Sequence, residues 1–251
     1  MKSGNALLAL TIRDWGSRIG HSPAEALWTL FEPTMHMLFY LMLVGLAPRR
    51  PHTGDSFALF FATGLVPYFL WQRIFFRISI SMNMSTLFNF ARVTFVDMIL
   101  SRIIIELILW ICNIIIVAIV IYMLGDRVSI ANYVVVFEAV LMFIFLGMSW
   151  GVLSGFLVAF IPFWPKAANL INRCMYFSCG IFFVPDHLPP FIRDVVYWNP
   201  LLHVIEFGRS GVYYGYDSLM LNLAIPLTVS LVMIAIAAVI QHTAMERFRS
   251  S

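Results

Sequence analysis

The chain has 251 residues, of which 61% are hydrophobic and only 12% are charged, with a formal net charge of +3. Soluble domains carry roughly 25% charged residues, so this composition excludes an ordinary soluble domain and predicts an integral membrane protein in which nearly the whole chain is used for spanning. The positive charges are scattered along the chain rather than clustered, which argues against a nucleic-acid partner.

The beginning of the chain, 1–22, predicts an amphipathic helix. Its apolar residues fall mostly on one helical face: Ala6, Leu7, Leu10, Ile12, Trp15 and Ile19. Arg13, Asp14 and Arg18 fall mostly on the other face and interrupt any apolar core of a signal peptide. This pattern is typical of a helix that lies in the plane of the membrane surface. A helix packed on a soluble domain is the alternative.

Six apolar segments follow, and a membrane span needs about 20 residues. We place the spans at 24–46, 57–78, 99–124, 134–161, 167–184 and 219–241. The fifth is short, which predicts a helix that stops before the outer surface. The segments together predict an all-α integral membrane fold and a single transmembrane domain over 1–251.

The distribution of Lys and Arg predicts the orientation of the spans, because these residues favour the cytoplasmic side. Eleven of the 16 lie on the side that holds both termini: Lys2, Arg13, Arg18, Arg73, Arg77, Arg92, Arg102, Lys166, Arg173, Arg247 and Arg249. The other side has Arg49, Arg50, Arg127, Arg193 and Arg209. Both termini are therefore predicted to be cytoplasmic, although the Arg49–Arg50 pair is a local exception.

Two connections between spans contain more than simple loops. The stretch 79–98 on the cytoplasmic side carries exposed apolar anchors, among them Leu87 and Phe88, which favours a docking site for another protein. A short interfacial helix resting on lipid is the alternative. The outer stretch 185–217 predicts a pair of short re-entrant helices, since Asn199 resembles an N-cap and Pro200 a first helical residue.

Sequence motifs give little support to catalysis or nucleotide binding. The chain has no G-x-x-x-x-G-K-[ST], so it does not bind ATP through a P-loop, and it has no H-E-x-x-H. Gly147-Met148-Ser149-Trp150-Gly151 has the letters of G-x-S-x-G, but it lies inside the fourth apolar segment. The small residues of Gly147–Gly151 predict close helix packing. His203 and Glu206 are three apart on a helix, but a third ligand is not evident, so we predict no metal site and no catalytic residues.

Charges inside the apolar segments are costly and usually face a partner or a wet cavity. Arg73, Arg77, Lys166 and Arg173 predict a cationic path that would favour an anionic solute; snorkelling to the headgroups is the alternative. Arg102 and Glu106, four apart in the third span, are positioned to pair with each other. Aromatic residues of the second and fifth spans predict lipid-facing or core positions, and a stacking surface for sugar rings is the alternative: Phe69, Trp71, Phe75, Phe76, Tyr176, Phe177, Phe182 and Phe183.

Certain residues carry a family resemblance that covers essentially the whole chain. Glu32-Pro33 occurs in the first span, Tyr176-Phe177 precedes Cys179, and Tyr197-Trp198-Asn199-Pro200-Leu201 leads into His203-Val204-Ile205-Glu206. This pattern resembles the membrane subunit of type-2 ABC exporters. It is most similar to the capsule polysaccharide-export permeases of Gram-negative bacteria.

The resemblance implies a multi-pass inner-membrane homodimer that moves lipid-linked polysaccharide from cytoplasm to periplasm. A separate nucleotide-binding ATPase would carry ATP and Mg, and this chain would hold no cofactor. A periplasmic co-polymerase-like adaptor and an outer-membrane channel would complete the route. O-antigen export is the alternative substrate branch; a drug exporter, a passive channel and an intramembrane acyl- or glycosyltransferase are less favoured.

The resemblance also implies roles for particular residues. The coupling helix that contacts the ATPase would include Ser85, Leu87, Phe88, Asn89, Phe90 and Arg92. The charges and aromatic rings inside the spans, rather than the resemblance, assign the substrate path to Phe69, Arg73, Arg77, Lys166, Arg173 and Tyr176. The periplasmic gate would include Tyr197, Trp198, Asn199, Pro200, His203 and Glu206.

Overall fold

The computed structural model describes residues 2–21, 23–45, 56–81 and 95–249. This part of the chain forms nine α-helices and one short 3-10 turn, and it contains no strand, which confirms the all-α prediction. The helices are α1 Lys2–His21, α2 Pro23–Gly45, α3 Phe57–Ser81, α4 Phe95–Met123, α5 Tyr133–Phe160, α6 Trp164–Ser178, α7 Pro190–Val196, α8 Pro200–Val212 and α9 Ala224–Arg249; the 3-10 turn is Pro185–His187.

Five of the described helices are long and apolar enough to cross a membrane. The segments are Leu27–Val44, Phe57–Ser81, Val96–Met123, Tyr133–Val158 and Ala224–Thr243. Helix α6 has 15 residues; at 1.5 Å per residue this is about 22 Å, less than the roughly 30 Å of a bilayer's hydrocarbon core. The segment predicted as a helix over 167–184 is thus helical only to Ser178, and Gly180, with a φ of 85°, turns the chain away.

The start of the last long helix differs from the sequence prediction, and the two short helices before it agree with the prediction. The last long helix begins at Ala224 rather than at 219, because the chain between Tyr213 and Leu223 forms turns. The pair of short helices predicted within 185–217 is present as α7 and α8. Each helix begins with a proline, Pro190 in α7 and Pro200 in α8. At the first helical position the missing N–H costs no hydrogen bond.

Helix α3 is the centre of the bundle. Within its span 72% of the residues are buried, against 17% for the spans in α2 and α9, and it packs against α2, α4, α5 and α8. Trp71 and Phe75 are stacked with ring centroids 5.9 Å apart and face Trp150 of α5. Because both are fully buried, they belong to the core, as predicted, and not to the alternative sugar-stacking surface.

Close contact between α3 and α5 depends on glycine. A Cβ added at Gly147 would lie 3.0 Å from the Trp71 carbonyl oxygen, and one at Gly151 would lie 2.8 Å from the Ile78 Cβ. The prediction that small residues of Gly147–Gly151 serve close helix packing is therefore confirmed.

Charged residues tie α1 and α3 to α4. Arg102 of α4 forms an ion pair with Asp14 of α1 and donates to the Ser81 hydroxyl at 2.9 Å. Glu106 lies 3.6 Å from the Arg77 Nε on α3. Arg102 therefore pairs with α1 and Glu106 with α3. The four-residue spacing had instead predicted that Arg102 and Glu106 pair with each other.

Candidate functional site

A polar groove opens between α2, α3 and α6. It has a volume of about 370 Å³ and is lined by Glu32, His36, Tyr68, Phe69, Gln72, Phe76, Asn169, Asn172, Arg173 and Tyr176. Three residues of the predicted path, Phe69, Arg173 and Tyr176, are thus brought together. Carboxamides, charged groups and aromatic rings on one concave surface are unusual in helices this apolar, so we treat this groove as the candidate site.

Arg73 lies beside the groove rather than in its lining. Its Nη2 is 3.7 Å from a Glu32 carboxylate oxygen, and it donates a hydrogen bond to the Thr29 carbonyl of α2. Its side chain is only 12% exposed and its guanidinium lies 6.0 Å from the Phe69 ring centroid. Arg73 therefore joins α3 to α2 and offsets the negative charge of Glu32.

The two remaining basic residues of the predicted path lie elsewhere. Arg77 pairs with Glu106 of α4, and Lys166 is exposed in the first turn of α6. Neither lines the groove. Of the four basic residues predicted to form a continuous path, the groove lining thus contains Arg173 alone, whose side chain is exposed.

Asn172 is a groove residue that the sequence reasoning missed. Its side chain is 2% exposed, and neither carboxamide atom has a hydrogen-bond partner among the described residues. Its backbone carbonyl accepts a hydrogen bond from the Tyr68 hydroxyl at 3.2 Å. The available signal was helical spacing, since Asn169, Asn172, Arg173 and Tyr176 share one face of α6.

Aromatic residues continue from the groove along α2 and α6. The Tyr176 ring lies 4.9 Å from that of Tyr68 and 5.3 Å from that of Phe182, between ring centroids. Tyr40 of α2 packs 4.6 Å from Phe182, and the Tyr176 and Tyr40 hydroxyls are 3.4 Å apart. These rings form a continuous apolar and hydroxyl-bearing surface beside the groove.

Asn199 attaches α8 to the end of α6. Its side-chain oxygen accepts from the Leu201 N–H at 3.0 Å, which confirms the predicted N-cap. Its Nδ2 donates to the Ser178 hydroxyl at 2.8 Å and to the Met175 carbonyl at 3.3 Å. One amide therefore satisfies groups from both helices and sets where α8 begins.

Glu206 and Arg209 form a buried ion pair on α8. Arg209 Nη1 lies 3.1 Å from Glu206 Oε1, and both side chains are 0% exposed. The Tyr216 hydroxyl donates to the other carboxylate oxygen at 2.5 Å. Burial, and next the nearby Glu206 carboxylate, raise the pKa of Tyr216, so the phenol keeps the proton that it donates.

The Arg209 guanidinium also connects α8 to its surroundings. It lies 4.1 Å from the Phe60 ring centroid of α3 and 3.4 Å from the Phe183 carbonyl oxygen, to which it donates. Sequence reasoning placed Arg209 among the outer loop charges and did not connect it with Glu206. The signal that it overlooked is the three-residue spacing of opposite charges within an apolar helix.

His203 is fully buried and both of its ring nitrogens have partners. Nε2 lies 2.7 Å from the Tyr197 carbonyl oxygen, which can only accept, so Nε2 carries the proton. Nδ1 accepts from the Asn222 N–H at 3.4 Å. Burial lowers the pKa of His203, which keeps the ring neutral. His203 thus packs α8 against neighbouring turns. Trp198, another residue of the predicted gate, is by contrast 74% exposed.

The remaining predicted residues lie outside the described part of the chain. These are the coupling residues Ser85, Leu87, Phe88, Asn89, Phe90 and Arg92. Within the residues described, no group of three or more His, Cys, Asp or Glu side chains is arranged to hold a metal ion.

Known proteins are similar to most of this chain. The sequence profile of the family described as ABC-2 type transporter matches residues 5–213. Two Escherichia coli proteins, both named polysialic acid transport protein KpsM, are each 28% identical over 212 residues, which is 84% of this chain and 82% of each relative. The residues that the family profile matches include both the groove and α8.

Proposed function

The chain belongs to the ABC-2 type transporter family, and we propose that it is the membrane permease of an exporter that moves polysaccharide across the bacterial inner membrane. The observation that carries this proposal is the groove, where carboxamides, Arg173 and aromatic rings line one surface within a bundle of apolar helices. Two similar proteins are named for transport of polysialic acid, an acidic polysaccharide. The groove offers the hydrogen-bonding and ring-stacking groups that such a polymer requires.

The substrate in this proposal is a lipid-linked, acidic capsular polysaccharide that moves from the cytoplasm to the periplasm. Arg173 supports an acidic polymer, and Arg73 offsets the charge of Glu32, so the groove does not repel a sugar carboxylate. Export of O-antigen through the same groove is the second candidate, since it needs the same ring-stacking surface.

We propose that two copies assemble with their grooves facing each other. The groove lies open at the surface between α2 and α6, and large apolar side chains of those helices are exposed nearby, including Phe39, Leu170 and Phe177. Pairing across this face would enclose the path.

In this arrangement α6 and the chain to Val184 form a sixth, shortened crossing. Helices α7 and α8 are re-entrant elements on the periplasmic side, and both termini are cytoplasmic.

The energy source in this proposal is a separate ATPase that binds ATP and Mg. Residues 79–98 are its coupling surface, because their apolar anchors follow the span that forms the centre of the bundle. A periplasmic co-polymerase-like adaptor and an outer-membrane channel continue the route. Trp198, exposed beside α7, is a residue that such an adaptor would contact.

Deletion of the gene tests the function directly. The deletion strain is expected to lose polysaccharide from its surface and to accumulate the polymer inside, where it is measured by fractionation and sugar analysis. Complementation with the wild-type chain should restore surface polymer. Normal surface polysaccharide in the deletion strain, or polymer that accumulates in the periplasm, would contradict the proposal.

Arg173→Ala tests the role of the groove charge. An exposed charged contact is worth about 0.2–1 kcal/mol, so we expect export to fall by at most about fivefold while the ATPase stays bound. Export is measured as surface polymer per permease and binding by co-purification. Lys166→Ala, which removes an exposed cation of the same helix outside the groove, is the matched control and should retain more activity. Equal losses in both variants would argue against a groove-specific role.

Leu87→Asp combined with Phe88→Asp tests the coupling surface. Burial of a Leu or Phe side chain contributes about 1.5–3 kcal/mol, so loss of both should weaken ATPase binding at least about a hundredfold. The measurement is co-purification of the ATPase with the tagged permease. Phe191→Asp, at a position that is 80% exposed on α7, is the control and should leave the complex intact. An intact complex with the double variant would disprove the coupling assignment.

A further inference from the structure

The groove contains one buried polar side chain that lacks a partner. Asn172 is 2% exposed, and its Oδ1 and Nδ2 have no hydrogen-bond partner in the part of the chain that the structure describes. Leaving such a group unsatisfied opposes folding, because both atoms give up hydrogen bonds to water. Asn199, on the neighbouring helix α8, shows the ordinary situation, since its carboxamide bonds Leu201, Ser178 and Met175.

The chemistry around Asn172 restricts what would satisfy it. A carboxamide offers one acceptor and two donors in one plane, which complements adjacent hydroxyls or an acetamido group of a sugar. Asn169 and Gln72 add two more carboxamides to the same groove, and Tyr176 adds a half-buried ring. Neutral hydrogen-bonding groups therefore outnumber the one exposed cation, Arg173.

We propose that the groove is a saccharide subsite in which Asn172 holds a sugar unit through a donor–acceptor pair of hydrogen bonds. Arg173, the next residue along α6, contacts a carboxylate of the sugar at the rim. Tyr176, one turn further, presents its ring to the apolar face of the sugar. This inference rests on the proposed function, and it assigns recognition to the carboxamide rather than to positive charge alone.

Asn172→Leu is the central test, because leucine keeps the approximate volume and removes both polar atoms. The complete permease–ATPase complex is placed in nanodiscs and titrated with oligosaccharides made by mild hydrolysis of the source bacterium's own surface polysaccharide. Affinity is expected to fall about tenfold or more, as two hydrogen bonds are lost. The thermal midpoint is expected to stay level or to rise, since a buried unsatisfied group has been removed.

Asn172→Asp provides a second variant, in which an acceptor remains and the donor is lost. It is also expected to weaken oligosaccharide binding, and the added negative charge should weaken acidic oligosaccharides further. Asn113→Leu is the matched control: the Asn113 amide donates to the Leu30 carbonyl at 2.6 Å, and Asn113 lies outside the groove. This control should lower the thermal midpoint and leave the affinity of the folded protein unchanged.

The outcomes separate the two proposals. If the wild-type complex does not bind the oligosaccharides, the proposed function fails and the subsite fails with it. If the wild type binds them and Asn172→Leu binds equally well, the subsite alone is overturned. A lower thermal midpoint with unchanged affinity in Asn172→Leu would show a purely structural role and would also overturn it.

Discussion

Arg209→Met is expected to destabilise the protein by about 3–5 kcal/mol, because removing one partner of a buried ion pair leaves an uncompensated charge. Glu206 would remain fully buried, and among the described residues the Tyr216 hydroxyl would be the side-chain donor left to stabilise its charge. The contacts of the guanidinium with the Phe60 ring and the Phe183 carbonyl would be lost as well. The measurement is reversible unfolding of the purified permease in mixed micelles, together with the yield of monodisperse protein.

Glu206→Gln added to Arg209→Met should recover much of this loss. The amide oxygen still accepts from Tyr216, and no buried charge is left, so the double variant is expected to be more stable than Arg209→Met alone. Arg127→Met removes an exposed arginine and should change stability by no more than about 0.5 kcal/mol. If Arg209→Met behaved like Arg127→Met, the ion pair would contribute nothing to the attachment of α8.

Sequence patterns predicted those features of this fold that depend on local chemistry. The alternation of long apolar segments with polar breaks predicted an all-α membrane protein. Asn199 followed by Pro200 predicted the start of α8, since the cap bond is formed within two residues. Gly147 and Gly151 predicted close helix packing, because glycine has no side chain and lets two helix backbones approach each other.

Features that depend on contacts between helices were not predictable in the same way. The four basic residues of the spans suggested one continuous path. Two of them instead pair with acids on neighbouring helices, Arg73 with Glu32 and Arg77 with Glu106, and the sequence does not show which helices are neighbours. Asn172 could not be identified as unsatisfied, because that property is the absence of a tertiary partner. The early end of α6 likewise depends on the backbone turn at Gly180.

Contacts between helices hold the surroundings of the candidate site in place. Arg73 and Glu32 hold α2 against α3, and Asn199 and Arg209 hold α8 against α6 and α3. The lining of the groove comes from α2, α3 and α6. A shift of α3 relative to α2 or α6 would therefore change the shape of the groove.

Gly151→Leu is expected to prevent normal packing of α5 on α3. A Cβ at this position would lie 2.9 Å from the Phe75 carbonyl oxygen and 2.8 Å from the Ile78 Cβ. A carbonyl oxygen within a helix moves only if the helix moves, so α3 must separate from α5, and the buried Trp71–Phe75–Trp150 contact opens with it. We expect little monodisperse protein and no export, measured by size-exclusion chromatography and surface polymer.

Gly151→Ala compared with Gly208→Ala separates crowding from a general effect of losing glycine. Overpacking typically costs about 1–3 kcal/mol, which should exceed the helix-propensity gain of about 1 kcal/mol at Gly151. At Gly208 a new Cβ would lie 3.6 Å from the Ala139 Cβ, an ordinary contact, so only the propensity gain remains. Gly151→Ala should therefore unfold earlier and Gly208→Ala no earlier than the wild type. Equal stability of both variants would mean that the close contact between α3 and α5 can relax at small cost.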